Sequence, residues 1–316
     1  MSVKITVLPG NRTFTAEGHS TLLEAGLHAG LALDYGCSNG NCGNCVARIV
    51  SGEVKKVRHH DFALSEQQRL NKHVLMCSNT ALTDVTLEAS EADGGIDIPL
   101  QQITAKVRAL EFANNNVALL HLKTPRTKRL RFLAGQKVQL GGGRLPDAQY
   151  AIGSCPCDDM NLHFQIPRSD GNAFSSYVFE HLKKGDMVDI NGPTGEFLLN
   201  ECASKDLIFI AWRSGFAPVK SLIEHAMALE LPQNIHLIWL AENPNGHYQN
   251  NLCRSWQDAF ENVHYLPLDE GTVTISETTV AKLLRTSQKN LKNMDFYLAD
   301  ADGKTGISSG KLPGLR

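Results

Sequence analysis

The chain has 316 residues, 42% of them hydrophobic and 20% charged, with a formal net charge of −2. That length predicts two or three domains with substantial cores, and the near-neutral balance excludes a nucleic-acid binder or a disordered chain. No apolar run approaches the length of a membrane span, and the start, Met1 to Val7, alternates like a strand rather than a targeting peptide, so a cytoplasmic location is expected.

Residues 1–93 predict a compact mixed domain. An opening hairpin leads to a short helix near Thr21–Leu27, a strand through Val46–Val50, a helix beginning at Ser65 and a last strand through Val85–Glu88. Between the first helix and the next strand lies Asp34-Tyr35-Gly36-Cys37-Ser38-Asn39-Gly40-Asn41-Cys42-Gly43-Asn44-Cys45. Cys37, Cys42 and Cys45 are spaced C-x4-C-x2-C, and Cys77 follows after thirty-one intervening residues. This is the plant-type ligand pattern of a [2Fe–2S] cluster. Two irons bridged by two sulfides take four thiolates from the protein, three of them here from one tight loop. Gly36, Gly40 and Gly43 give that loop room to wrap and let main-chain N–H groups approach sulfur. A disulfide framework suits small secreted domains, and a zinc site usually pairs two C-x-x-C-like knuckles, whereas here Cys77 stands alone.

The remaining cysteines, Cys155, Cys157, Cys202 and Cys253, read as ordinary thiols. His59, His60 and His73, near Lys55, Lys56 and Arg58, read as a solvated basic face, one that could also dock an acidic electron partner.

An acidic, glycine-containing boundary follows at Ser90 to Gly95. From Ile103, short period-two strands recur at Lys106–Leu110, Val117–Leu122 and Leu162–Ile166, with a helix over Phe174–Lys183, so residues 101–200 predict a β-barrel. From Asp206 the pattern changes again. Apolar runs at Leu207–Ala211, Ile235–Leu240 and Phe296–Leu298, with a helix from Pro218 to about Leu229, predict a doubly wound α/β domain over 201–316.

Ferredoxin-like domain, barrel, then α/β domain, over residues 3 to about 302, resembles the reductase components of bacterial oxygenases and the CDP-6-deoxy-hexulose reductase type. The resemblance implies a β-grasp [2Fe–2S] ferredoxin, a flavin-binding-type barrel and an NAD(P)-binding-type domain. It also implies that a nicotinamide nucleotide reduces a flavin, whose electrons leave through the cluster. In the family's Arg-x-Tyr-Ser stretch this chain has Ala148-Gln149-Tyr150-Ala151, followed by Ser154, so Tyr150 is the residue expected to meet FAD. The glycine-then-hydroxyl phosphate motif falls on Gly171 to Ser175, with Arg168 standing in for the cation that relatives place near Gln165. In the nucleotide domain the family's Gly-Thr-Gly is Arg213-Ser214-Gly215 after Trp212, so only Gly215 is kept. Glu242 stands where an arginine is usual, and Ala299-Asp300-Ala301 where Cys-Gly-Pro is usual; the tail from Gly303 is too short for the family's final helix and strand.

The function expected is an electron-transfer oxidoreductase linking NAD(P)H and FAD, through the [2Fe–2S] cluster on Cys37, Cys42, Cys45 and Cys77, to a partner metalloenzyme such as an oxygenase. The site residues expected beside the cysteines are Tyr150, Ser154, Arg168, Ser175 and Gly215. The alternative is a non-enzymatic [2Fe–2S] carrier whose reductase-like part is a docking scaffold, motivated by the eroded nucleotide motif, which makes NAD(P)H use doubtful.

Overall fold

The computed structural model describes residues 2–17, 20–92, 97–143, 145–201, 204–269, 292–300 and 305–309. The first unit opens with β1 (Ser2–Leu8) and β2 (Arg12–Glu17), then α1 (Leu22–His28). β3 (Val46–Ser51), β4 (Val54–Lys56), α2 (Glu66–Leu70), β5 (His73–Leu75), β6 (Asn79–Ala81) and β7 (Val85–Glu88) follow. The main sheet has the order β2-β1-β7-β3-β5, with β1 and β7 parallel at its centre. α1 crosses over it and buries Leu22, Leu23 and Ala25. Both helices start where capping chemistry places them. Thr21 with Glu24, and Ser65 with Gln68, form reciprocal capping boxes.

The second unit comprises β8 (Gln101–Asn114), β9 (Val117–Lys123), β10 (Lys137–Gly142), β11 (Leu145–Ala151), β12 (Asn161–Pro167), α3 (Ala173–Glu180) and β13 (Met187–Thr194). Its six strands run β11-β10-β13-β8-β9-β12, every neighbouring pair antiparallel, around a core that includes Val138, Leu140, Phe164 and Phe174. Alternation of small or apolar inward residues with polar outward ones along β8 is what makes it one wall of a barrel.

The third unit is β14 (Asp206–Trp212), α4 (Phe216–Ala228), β15 (Ile235–Ala241), α5 (Asn250–Ala259), β16 (Val263–Asp269), β17 (Met294–Ala299) and β18 (Thr305–Ser309). The order β16-β15-β14-β17 is parallel throughout, and β18 lies antiparallel on β17. β14, β15 and β17 are buried almost end to end, which is why they read as unbroken apolar runs. β18 corrects the expectation of a missing final strand: five residues suffice to cover the open edge of β17 when the chain reverses onto it. The Ala301 position, Cys202, the tail beyond Ser309 and part of the 90–95 boundary lie outside the described residues.

The three units touch one another through polar clamps. On one side Arg12 on β2 meets the Glu201 carboxylate at 2.8 Å, and the His225 ring on α4 meets the other oxygen at 2.9 Å. Burial raises the Glu201 pKa, but the His225 and Arg12 contacts outweigh it and hold the group below its usual value. A carboxylate depressed in the folded state contributes stability that is complete above its unfolded pKa, about 4.3, and is lost as pH falls through the lower folded value. The thermal midpoint is therefore expected to drop on acidification from pH 5 to pH 3, and Glu201→Gln should show a smaller acid-dependent drop by calorimetry.

Candidate functional site

The four cysteines of the sequence pattern come together at the end of the first sheet. The loop 34–45 runs from α1 into β3, while Cys77 sits in a 3-10 turn between β5 and β6. Met76 N–H donates to the Cys45 carbonyl at 2.9 Å, which ties that turn to the loop. The thiols stand two and two. Cys45 Sγ lies 3.2 Å from Cys77 Sγ, and Cys37 and Cys42 form the other pair.

Main-chain N–H groups point at sulfur throughout: Asn41 and Cys42 to Cys37 Sγ, both at 3.3 Å, Cys37 to Cys42 Sγ at 3.4 Å, and Asn44 to Cys42 Sγ at 3.5 Å. Such donors favour the thiolate. Burial opposes ionisation of Cys37, yet the N–H groups of Asn39, Cys42 and Asn41 help bring its pKa down. Cys77 is pulled down to about 6, chiefly by the hydrogen bond from the Cys45 thiol.

Two glycines make the loop possible. Gly40 and Gly43 have φ of +85° and +81°. A Cβ on them would stand 2.4 Å from His60 Cβ and 2.3 Å from the Phe62 ring. The segment 60–62 thus lies directly over the loop, with Phe62 N–H donating to the Gly40 carbonyl at 3.0 Å. Among the described residues no three His, Cys, Asp or Glu side chains converge on a single ion. Two thiol pairs with N–H groups on their sulfurs therefore fit a two-iron core, one pair to each iron, and do not fit a mononuclear zinc tetrahedron. Cys37, Cys45 and Cys77 are buried, and Cys42 is exposed.

Behind the cluster loop lies a polar seam against the barrel that sequence reasoning missed. Arg131 pairs with the Asp34 carboxylate and donates to the Ala32 carbonyl at 2.9 Å. Arg129 N–H donates to the Gly36 carbonyl at 3.2 Å, and its guanidinium reaches Asp159 at 3.3 Å. The Tyr35 hydroxyl donates to Asp159, and burial raises the pKa of both groups. The seam holds the cluster loop to the 129–131 segment and to the loop before β12. No local motif marks these residues, because each partner is distant in the chain.

On the barrel, Tyr150 is largely buried on β11, its ring 5.4 Å from Phe174 and its hydroxyl accepting from Asn172 Nδ2 at 3.1 Å. Asn172 caps α3, its side chain accepting from Ser175 N–H at 3.0 Å. Ser175 is fully buried. Its hydroxyl donates to the Pro167 carbonyl at 2.8 Å and accepts from Ser169 N–H at 3.2 Å. The side chain expected on a phosphate is thus committed to shaping the 167–172 turn. Ser154 is also internal: its hydroxyl accepts from His163 N–H, and its carbonyl accepts from Ser221 on α4 at 2.7 Å. Gln165, beside Arg168 in the motif, bonds Gln249 and Tyr248 at 2.9 and 2.7 Å.

Arg168 is exposed, with its Nε donating to the Asn115 carbonyl at 3.0 Å and its guanidinium 4.0 Å over the Phe179 ring. With Ser169 and Asp170 it lines a cleft of about 710 Å³ whose opposite wall is Arg213, Ser214 and Glu242 at the C-terminal ends of β14 and β15. Crevices at that end of a parallel sheet are where nucleotides bind. Gly171, at φ +84° with nothing within 4 Å of its Cα side, leaves the adjoining turn open. A flavin dinucleotide fits this half of the molecule: an aromatic on the barrel wall, an uncovered glycine turn, and two guanidinium groups near where a diphosphate would need charge.

The nucleotide loop itself is closed rather than glycine-rich. Residues 213–215 form a 3-10 turn, Arg213 sits at φ +51°, and its guanidinium pairs with Glu242 at 2.9 Å. Trp239 Nε1 donates to the Arg213 carbonyl at 3.1 Å, and Phe216 stacks on Trp239 at 3.9 Å. Gly215 is buried because the turn presses on the end of β17, where a Cβ would come 2.3 Å from the Ala299 carbonyl oxygen. Trp212 is not among the cleft-lining residues; Arg213 and Ser214 are.

No helix among the described residues is long and apolar enough to cross a membrane. Residues 5–82 match the family described as 2Fe-2S iron-sulfur cluster binding domain, and residues 104–198 match the oxidoreductase FAD-binding domain family. The chain is 30% identical over 274 residues to the CDP-6-deoxy-L-threo-D-glycero-4-hexulose-3-dehydrase reductase of Yersinia pseudotuberculosis serotype I (strain IP32953), covering 86% of this chain and 81% of that protein. It is 29% identical to terephthalate 1,2-dioxygenase, reductase component 2, of Comamonas sp., over 84% and 78% of the two chains. Its fold is similar to the Amycolatopsis cytochrome P450 reductase GcoB, with a TM-score of 0.56 at 23% identity over 94% and 90% of the chains. A cysteine quartet paired for two irons, a flavin-type barrel and an α/β unit in this order, carried on a relative at that identity and coverage, place the chain in the family of [2Fe–2S] flavoprotein reductases.

Proposed function

We propose that this protein is the reductase component of an electron-transfer system whose acceptor is a separate oxygenase-like metalloenzyme. The observation that carries the reading is the cysteine quartet, paired for two irons, on a loop fastened by the Asp34, Tyr35 and Gly36 contacts to the FAD-type barrel. When bound, the flavin supplies the exchange between two-electron donation and single-electron transfer, and the cluster supplies the single-electron carrier.

The chain's own residues do the rest. Cys37, Cys42, Cys45 and Cys77 would ligate the two irons, with the N–H groups of residues 37, 41, 42 and 44 stabilising charge on sulfur. Tyr150, fixed by Asn172 and Phe174, would orient the flavin, and Arg168 would meet its diphosphate in the open cleft. The seam around Asp159 fastens the cluster loop to the barrel. Anaerobic absorbance spectra before and after NADH test the reading. Bleaching of both flavin and cluster bands is expected; a preparation with neither flavin absorbance nor NAD(P)H-driven dye reduction would count against it.

The scaffold alternative has one observation behind it, the Arg213–Glu242 pair on the α/β wall of the cleft. That pair is better read as a brake on nucleotide entry than as loss of the site. Arg213→Gly relieves a left-handed non-glycine residue and removes a bulky side chain from the α/β wall of the cleft. Steady-state NADH turnover should rise several-fold, roughly the range of about 1 kcal/mol in substrate binding. A wild type that is already fast, with no gain in the variant, would show that the pair does not obstruct the nucleotide.

A further inference from the structure

The basic residues that the sequence marks for docking are partly spent. Arg58 pairs with Glu24 at 2.7 Å, and His59 stands 3.6 Å from the Asp61 carboxylate. The structure instead brings cations together on the barrel. A groove of about 730 Å³ is lined by Lys106 and Arg108 of β8, Lys123 of β9 and Lys184, with Val107, Pro125 and Met187 among its apolar residues and no carboxylate among its lining residues. Met187 is 51% exposed, so the floor is accessible.

The strand register sharpens the point. Lys106 stands directly opposite Lys123 across the β8–β9 ladder and opposite Met187 across the β8–β13 ladder. Like charges at paired positions destabilise a sheet, so the fold bears a cost there that packing does not explain.

The groove is also continuous with the cluster. Gln102, Thr104, Lys106 and Arg108 lie on one outward face of β8, two residues apart and all exposed. Gln102 lines a second cleft with Cys37, the exposed Cys42, Leu100, Thr127 and Lys128. The exposed turn Pro125 to Lys128 joins the two clefts and adds Arg126. Acids border this path at Asp34, Asp97 and Asp189, whose carboxylate accepts from the Thr104 hydroxyl at 2.6 Å, but Asp34 is neutralised by Arg131.

We infer that the acceptor protein docks an acidic face into this barrel groove, placing its own metal centre against the Cys42 edge of the cluster. The inference rests on the electron-transfer reading above and adds to it the location and charge of the partner's surface. Cationic surfaces of this kind steer acidic partners at low salt and set association rates more than final affinity.

The test uses the intact holoprotein with its cluster reduced photochemically, so that nucleotide use does not enter. Stopped-flow transfer is followed to cytochrome b5, an acidic haem protein, to cytochrome c, a basic one, and to a small neutral quinone. Wild type should reduce cytochrome b5 faster than cytochrome c at low ionic strength, with the advantage falling as salt is raised. Lys106→Glu should slow transfer to cytochrome b5 about tenfold, yet raise the thermal midpoint, because it turns a lysine–lysine pair into an ion pair with Lys123. Lys128→Glu should slow transfer comparably, whereas Lys55→Glu with Lys56→Glu should stay within about twofold of wild type. Quinone reduction should not change in any variant. Unchanged transfer to cytochrome b5 in both groove variants, or slowing only in the Lys55/Lys56 variant, would overturn the proposal. A groove variant that separates a dimer into monomers by light scattering, with transfer unaltered, would assign the groove to a second copy and overturn it too. Failure of wild type to reduce even the quinone would remove the electron-transfer reading itself, a result distinct from any loss confined to cytochrome b5.

Discussion

Cys42→Ser is expected to abolish the visible spectrum of the cluster and all electron delivery to a protein acceptor. Cys42 carries the exposed sulfur of the quartet and accepts N–H bonds from Cys37 and Asn44. A serine hydroxyl gives up its proton to a metal far less readily than a thiol does, so it is a poor substitute as an iron ligand. The iron served by the Cys37–Cys42 pair would therefore lose half of its protein ligands. Cys253→Ala is the matched control. That thiol is fully buried on the inner side of α5, its pKa raised to about 12 mainly by burial, and it faces the α/β core rather than the cluster. The control should keep the spectrum and lose about 1 kcal/mol of stability, the usual cost of a small cavity. Iron and acid-labile sulfide analysis alongside absorbance decides the matter; an unchanged spectrum in Cys42→Ser would show that the ligand set is wrong.

The second large effect is expected at Arg131. Its guanidinium pairs with Asp34, donates to the Ala32 carbonyl, and its backbone is gripped on both sides by the Gln101 side chain at 2.7 and 3.0 Å. Arg131→Ala leaves the loop leading into Cys37 without its main fastening to the barrel. Because Asp34 is partly exposed, the cost is modest for an ion pair, about 2 kcal/mol. Electron transfer between two fixed redox centres falls off steeply with their separation, so a loop free to drift from the barrel transfers more slowly. Rapid-mixing measurement should show cluster reduction several-fold slower, with both absorbance bands intact. Arg131→Lys keeps the charge but not the fork that reaches Asp34 and Ala32 together, and should fall between. Wild-type transfer in Arg131→Ala would show that this seam does not set the spacing.

The two clamps on the first unit differ in what they answer to. The Glu201 clamp, with its depressed carboxylate, loosens in acid, whereas the Arg131 seam is expected to act through geometry. Together they hold the cluster-bearing unit against both neighbours, so that the loop 34–45 presents Cys42 outward while Tyr35 and Gly36 face the barrel.

Short-range chemistry was legible in the chain. The spacing of Cys37, Cys42 and Cys45 and the glycines between them announce a wrapped cluster, because ligands from one loop must sit at fixed chain distances. The capping pairs Thr21–Glu24 and Ser65–Gln68 announce helix starts for the same reason: donor and acceptor are three residues apart. The apolar runs at 207–211 and 235–240 announce buried parallel strands, since both faces of such strands are covered. Ser175 was misleading because a motif specifies a residue, not where its hydroxyl goes, and here the turn at 167–172 takes it.

What the sequence by itself determined is the cofactor chemistry and the order of three folding units, since both are encoded in residues near one another along the chain. What only the tertiary structure decided is which distant side chains meet: the Arg131–Asp34 seam, the Arg213–Glu242 pair on one wall of the nucleotide cleft, and the two lysines facing each other across β8 and β9. Each joins side chains from 17 to 97 positions apart in the chain, and no local pattern carries such pairs because they exist only once register and packing have brought distant backbone together.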